Sequence, residues 1–209
     1  MASSGMVHKP KPPRKIGGTY NVEKQIGAGC FGDVWVGKVA ATQQPVAVKL
    51  ENIGPRGEQL EHEAAVLRRL ANPIRPQGVP ELLHFGREGR YRCMVMELLG
   101  KSLEDRMQDC GGRFTTQTAA LVAEQVLHRI EYLHSKQLVH RDVKPANFMF
   151  GTHDKVHHLY VIDFGLSKRY WEHGHKPNRK ALGLTGTARF ASIKAHEGLE
   201  QSRRDDLEA

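Results

Sequence analysis

Apolar positions in this chain change their spacing more than once. From Tyr20 to Leu50 they alternate with other residues: Val34 and Val36, then Val46 and Val48, stand two apart, and Gly, Gln and Pro break the runs. Period two puts successive side chains on opposite faces of an extended backbone, so this stretch predicts strands. Over residues 58–71 the spacing lengthens, and Leu60, Ala64, Leu67 and Ala71 fall on one stripe of a helix. Short strands are expected at 80–86 and 91–97. Residues 115–135 predict a long helix, capped by Thr115 or Thr116, with Val122, Val126, Ile130 and Leu133 as its buried face. A short strand (Leu138-Val139), a loop, a hairpin-like stretch and a buried strand from Leu159 to Ile162 follow. Strands with one helix thus come first and mostly helix follows. That order predicts an α+β protein of two lobes joined near Glu97–Gly100, a β-rich one over 18–100 and a mainly helical one over 101–209.

Two charged residues interrupt the apolar pattern. Lys49 ends the apolar strand Val46-Ala47-Val48-Lys49, and Glu63 lies on the stripe of the 58–71 helix, between Leu67 and Leu70. A half-buried ammonium and a core-facing carboxylate are each costly alone. They cancel if they pair. The alternative for each is a surface residue that snorkels to water.

Ahead of them stands Gly27-Ala28-Gly29-Cys30-Phe31-Gly32-Asp33-Val34, a G-x-G-x-x-G-x-V pattern. Glycines let backbone amides approach phosphate with no Cβ in the way. Dinucleotide-binding folds use similar glycines, but theirs open a helix. Here strand-like residues flank the motif on both sides (Val22 to Ile26 and Val34 to Val36), which disfavours that reading. In a phosphate site the Lys49–Glu63 pair would leave Lys49 to reach the α and β phosphates.

The segment His140-Arg141-Asp142-Val143-Lys144-Pro145-Ala146-Asn147, followed by Asp163-Phe164-Gly165, carries the most chemistry. Asp142 can hold and orient a hydroxyl nucleophile, and Lys144 can neutralise charge on a moving phosphoryl group. Asn147 and Asp163 are oxygen ligands suited to Mg²⁺. Together the set matches the protein-kinase signature.

With these residues the chain resembles the eukaryotic protein kinases, and Lys144, two places after Asp142, is typical of those acting on Ser or Thr. More narrowly it resembles the casein kinase I family. The matching stretches are Glu97 to Asp105, His134-Ser135-Lys136, Leu184 to Ile193 and Glu200 to Glu208. Most kinases have Ala-Pro-Glu where this chain has Ser192-Ile193-Lys194. The resemblance covers about residues 19–209. It implies a bilobal kinase fold, ATP and Mg²⁺ as cofactors, and Ser/Thr in acidic or already phosphorylated proteins as substrate. It further implies adenine recognition by backbone groups of Glu97 and Leu99, with Met96 behind and Ile26, Val34 and Ala47 as the roof. Thr187 would bond near Asp142 and Lys144. Arg189 matches the family's phosphate-reading arginine, a task that suits a bidentate guanidinium.

Three departures stand out. The family usually has lysine where Leu182 sits, so anion reading is expected to weaken, with Arg179 or Lys180 as nearby substitutes. Lys194 replaces an asparagine. The family's catalytic domain continues past the position of Ala209, so the resemblance implies an incomplete helical lobe. There the helix beginning near Asp205 would pack under the catalytic loop, Asp206 would brace that loop's backbone, and the face with Val122, Val126, Ile130 and Leu133 would be short of cover. The alternative reading is a truncated, inactive ATP-binding or decoy fragment.

Composition adds limits. With 209 residues and 39% hydrophobic content the chain can bury a core, and no apolar run approaches a membrane span. The Met1-Ala2-Ser3-Ser4 start lacks the apolar segment of a secretory signal. Cys30, Cys93 and Cys110 form no metal or disulfide pattern and are expected as reduced thiols. His153, His157 and His158 fit no structural zinc spacing. The net charge is +8, but its basic residues are dispersed and no nucleic-acid motif accompanies them. Residues 1–17 predict a disordered basic tail, in which Lys9, Lys11, Arg14 and Lys15 suit nuclear targeting or plain solvation. A monomer, cytoplasmic or nuclear, is expected.

Overall fold

A computed structural model describes residues 11–29, 32–54, 58–175, 177 and 179–209. Cys30 and Phe31 of the Gly-rich motif and residues 1–10 of the expected tail lie outside the described residues. The first part of the chain folds as a six-stranded antiparallel sheet. Its strands are β1 (Lys15–Ile16), β2 (Tyr20–Gly29), β3 (Gly32–Val39), β4 (Pro45–Asn52), β5 (Leu82–Glu88) and β6 (Tyr91–Glu97), in the order β1-β2-β3-β4-β6-β5. Helix α1 (Gln59–Leu70) lies between β4 and β5 in sequence. The remainder is mainly helical: α2 (Leu103–Asp109), α3 (Thr116–Ser135), α4 (Ile193–His196) and α5 (Arg203–Glu208). Two small ribbons interrupt it: β8 (Phe148–Phe150) pairs with β9 (Leu159–Val161), and β7 (Leu138–Val139) pairs with β10 (Lys168–Arg169). Strands and helices are segregated along the chain, as an α+β fold requires.

The period-two pattern sets which side of the sheet does what. On β4, Val46, Val48 and Leu50 join Ile16, Tyr91, Cys93 and Val95 in a core on one face. Ala47 and Lys49 therefore point to the other face. There a second, continuous core runs from α1 (Leu60, Ala64, Leu67, Leu70) through Met94 to Leu103, Ile130, Leu133, Phe148, Leu159, Val161 and Phe164. Each fully buried side chain of this size stabilises by roughly 1.5–3 kcal/mol. The shared core fixes α1 and the sheet against the helical part.

Several expectations need correction. The expected tail, 1–17, is too long. Residue Ile16 is 0% exposed, Ile16 pairs with Tyr20, and the Val22 N–H donates to the Arg14 carbonyl at 2.9 Å. One apolar residue in a basic stretch suffices, because the strand it joins supplies the partners. The 80–86 strand runs from Leu82 to Glu88 instead. On α3 the Thr115 cap is present, its Oγ1 accepting the Thr118 N–H at 3.2 Å. Ile130 and Leu133 are buried, but Val122 and Val126 are only partly covered. The uncovered leucines of α3 are Leu121 and Leu127. Burial pushes the Cys93 thiol up to about 11, whereas Cys110 is exposed. No helix among the described residues is long and apolar enough to cross a membrane.

Candidate functional site

Lys49 and Glu63 meet. Lys49 Nζ donates to Glu63 Oε2 at 2.6 Å and to Asp163 Oδ1 at 3.3 Å, with both members of the pair buried. Burial opposes the Lys49 charge, but the Glu63 and Asp163 carboxylates outweigh it and hold the ammonium above its ordinary range. The backbone of Phe164 also favours the Glu63 carboxylate. Removing one partner of such a pair strands a buried charge and costs roughly 3–5 kcal/mol.

The hairpin of β8 and β9 brings Asn147 and Asp163 together. Phe148 lies opposite Val161, and the Ile162 N–H donates to the Asn147 carbonyl at 2.9 Å. Asn147 and Asp163 therefore flank the same end of the ribbon. Asp163 has φ +63°, a left-handed conformation that a short polar side chain tolerates and that turns its carboxylate toward Lys49. Asn147 Nδ2 donates to the Asp142 carbonyl at 2.8 Å and to Asp142 Oδ2 at 3.0 Å. With Nδ2 so committed, Oδ1 is the atom of Asn147 that can take a cation.

Asp142 is the most heavily bonded acid of the site. Thr187 donates to its Oδ1 from both N–H (2.8 Å) and Oγ1 (2.7 Å). Lys144 Nζ lies 2.8 Å from Asp142 Oδ2 and donates to Thr187 Oγ1 at 2.8 Å. Burial works against ionising Asp142, but the bonds from Lys144, Thr187 and Asn147 prevail and hold its carboxyl below the usual range. Gly186 (φ +99°) makes this contact possible, since a Cβ there would run into the Arg141 carbonyl.

Beneath the loop, His140 is fully buried. Its Nδ1 accepts the Asp142 N–H at 3.3 Å and its Nε2 faces the Ile162 carbonyl at 2.9 Å. Asp206 on α5 accepts the N–H groups of Arg141 (Oδ1) and His140 (Oδ2), both at 2.8 Å, and lies 2.9 Å from His134 Nε2. The bracing role that the resemblance gave Asp206 corresponds to these bonds.

A cavity of about 730 Å³ is lined by Ile26, Gly27, Val34 and Ala47 above, Met96 to Gly100 at the side, and Lys49, Lys144, Asn147 and Asp163 at the polar end; Asp142 is not in its lining but is bonded to Asn147 and Lys144, which are. Gly32 also lines it, with φ +128° and a hydrogen where a Cβ would meet the Leu50 carbonyl. Gly29 ends β2 opposite Gly32. The Glu97 N–H donates to the Glu81 carbonyl at 3.0 Å, and the Glu97 carboxylate is held by Arg75 at 3.0 Å and the Glu81 N–H at 2.8 Å. The lining suits an adenine nucleotide: an apolar slot at one end, and at the other a lysine with two oxygen donors for a hard cation.

The remaining candidates lie outside the cavity. Arg189 sits on an exposed turn, its guanidinium 5.4 Å from the Phe190 ring, with no carboxylate partner among the described residues. Leu182 is exposed and its N–H donates to the Gly198 carbonyl at 3.0 Å. Arg179, one proposed substitute for the missing lysine, is engaged by Glu200; Lys180 is exposed. Lys194 pairs with Glu197 at 3.0 Å on the surface.

Two site neighbours were given no role by the sequence. His62 Nε2 lies 2.8 Å from the Ser167 carbonyl, tying α1 to the segment after Asp163. Glu200 gathers Lys168 and Arg179. Their partners are 105, 32 and 21 residues away, so no local pattern could reveal them.

A family model described as protein kinase domain matches residues 20–195, most of the chain. The chain belongs to the protein kinases. Members of that family use ATP with a divalent metal and act on proteins, and the cavity residues above fit that requirement.

Proposed function

We propose that this protein is a serine/threonine kinase of the casein kinase I type, transferring the γ-phosphoryl group of ATP to Ser or Thr of acidic or phosphorylated proteins. The sheet and the helical part act as the two lobes, with the cavity between them as the nucleotide site. The observation that carries the reading is the convergence of Lys49, Lys144, Asn147 and Asp163 on one cavity, with Lys49 bonded to Asp163 and with Asn147 and Lys144 both bonded to Asp142 beside it.

Lys49, held by Glu63, positions the α and β phosphates. The adenine meets the Glu97 carbonyl and the Leu99 N–H, because the Glu97 N–H is already used. Asn147 Oδ1 and the Asp163 carboxylate would hold Mg²⁺, which would supply charge neutralisation for the phosphates. Asp142 accepts a hydrogen bond from the substrate hydroxyl and aligns its oxygen with the γ-phosphorus. The new O–P bond forms as the bond to the β–γ bridging oxygen breaks; ADP leaves and the hydroxyl proton passes to Asp142. Lys144 stabilises charge on the group in transit. Lys144 also bonds Thr187, which supports a Ser/Thr preference. Arg189, with no carboxylate partner among the described residues, supports an acidic or phosphorylated substrate.

The test is transfer from γ-labelled ATP with Mg²⁺ to acidic Ser- and Thr-containing peptides, a phosphoserine-primed peptide and a tyrosine peptide. Label on Ser or Thr, lost in Asp142→Asn, supports the reading. Label on tyrosine alone, or undiminished label in Asp142→Asn, refutes it.

A further inference from the structure

Glu200 lies between α4 and α5 and is 7% exposed. Its Oε1 accepts Lys168 Nζ at 2.5 Å. Its Oε2 accepts Nε of Arg179 at 2.9 Å and lies 2.9 Å from Nη2 of the same side chain. The Glu200 N–H also donates to the Arg179 carbonyl at 2.9 Å. Burial of the neighbouring Arg141 guanidinium disfavours its charge, and the charges of Glu200 and Asp206 oppose that loss. Arg141 Nε donates to the Leu166 carbonyl at 2.7 Å. Burial likewise raises the Glu200 pKa, but Lys168 and Arg179 overcome it and leave the carboxyl below its ordinary range.

Two cations from separate places, Lys168 and Arg179, thus hold one carboxylate, and Arg141 lies within range of its charge. Arg141 precedes the catalytic Asp142, Lys168 opens β10, and Arg179 lies in the segment that leads to Thr187. Residues beside Glu200 extend the grip. Gly198 takes the Leu182 N–H at 3.0 Å, and Gln201 Nε2 donates to the Thr185 carbonyl at 2.8 Å. The stretch 198–201 therefore holds 179–185 by main chain and side chain, two residues short of the Thr187 contact with Asp142.

In switchable kinases a phosphate added to this segment orders it by pairing with arginines. A pair of cations drawn from the start of the segment and its far end, with the catalytic-loop Arg141 in electrostatic range, is what such a phosphate requires. We propose that Glu200 is a positioning residue that supplies this anion permanently, so that residues 179–185 hold their substrate-facing arrangement with no modification of the chain. The proposal rests on the kinase reading. It makes Glu200 act through the segment and not on ATP.

The test compares the whole chain with Glu200→Gln, Glu200→Asp, Glu200→Ala and Lys168→Met. Three quantities are read: amide hydrogen exchange of peptides covering 168–185, affinity for ATP–Mg²⁺, and KM for the acceptor peptide. Loss of a charged hydrogen bond of this kind predicts about tenfold faster exchange and an about tenfold higher peptide KM in Glu200→Gln and Lys168→Met. ATP affinity stays unchanged, and Glu200→Asp recovers part of the loss. In Glu200→Ala, inorganic sulfate enters the vacated cation cluster and restores protection. Unchanged exchange in Glu200→Gln would overturn the proposal. So would faster exchange throughout the chain together with lost ATP affinity, or no response of Glu200→Ala to sulfate. A wild-type chain that binds no ATP–Mg²⁺ counts against the kinase reading, while the exchange comparison still decides the role of Glu200.

Discussion

Thr187 gives both its N–H and its hydroxyl to a single oxygen of Asp142, at 2.8 and 2.7 Å. The hydroxyl also accepts from Lys144 at 2.8 Å, so one side chain fixes the acid and the cation together. Thr187→Ala keeps the backbone bond and removes the rest. Transfer should fall about 10²-fold, the usual cost of a small misplacement of reacting groups. Thr187→Ser should retain most activity. Steady-state kinetics at varied ATP decides it: an unchanged KM for ATP with lower kcat is expected, and a Thr187→Ala enzyme as fast as wild type contradicts the relay.

Asp206 is 2% exposed and takes two backbone N–H groups of the catalytic loop, one on each oxygen. Asn in its place would turn an NH₂ toward one of those donors. The expected loss is about 3 kcal/mol, within the range for breaking charged hydrogen bonds in a buried setting. Urea unfolding of Asp206→Asn should show a lower midpoint with a similar slope, and phosphotransfer should drop with it. A midpoint equal to wild type would mean that the catalytic loop does not depend on α5.

Stability should fall on the acid side for a specific reason. Asp142 and Glu200 both titrate below their ordinary values of 3.8 and 4.5. A carboxyl depressed in the folded state contributes stability that is present above the unfolded value and lost as pH falls through the folded one. The part of the unfolding free energy carried by these two carboxyls should therefore be constant above about pH 5 and decline below about 4.5. Glu200→Gln should shrink the decline. Equal acid sensitivity in wild type and Glu200→Gln would remove Glu200 from the explanation.

Part of this was legible in the sequence for physical reasons. Lys49 and Glu63 betray themselves because a charge on an apolar period has to be compensated, and they are paired at 2.6 Å. The Thr115 cap and the β4 alternation are local patterns, and local patterns survive folding. Helix α2 was missed although Ser102 and Asp105 form a capping box, because Leu103 is its only buried residue and leaves no stripe to read. The small strand at Ile16, the β7–β10 pairing and the Glu200 cluster depend on partners distant in sequence. The links among Asp142, Lys144 and Thr187 and the bonds of Asp206 were anticipated only through family resemblance. Spacing alone does not bring residues 45 or 66 apart into contact.

The most direct measurement is calorimetric titration of the 209-residue chain with ATP, with and without Mg²⁺, beside Lys49→Met and Asp163→Asn. A single nucleotide site is expected, tightened by Mg²⁺, weakened in Lys49→Met and no longer responsive to Mg²⁺ in Asp163→Asn. A chain that takes up no nucleotide, or variants that bind as wild type does with the same metal response, would contradict the site.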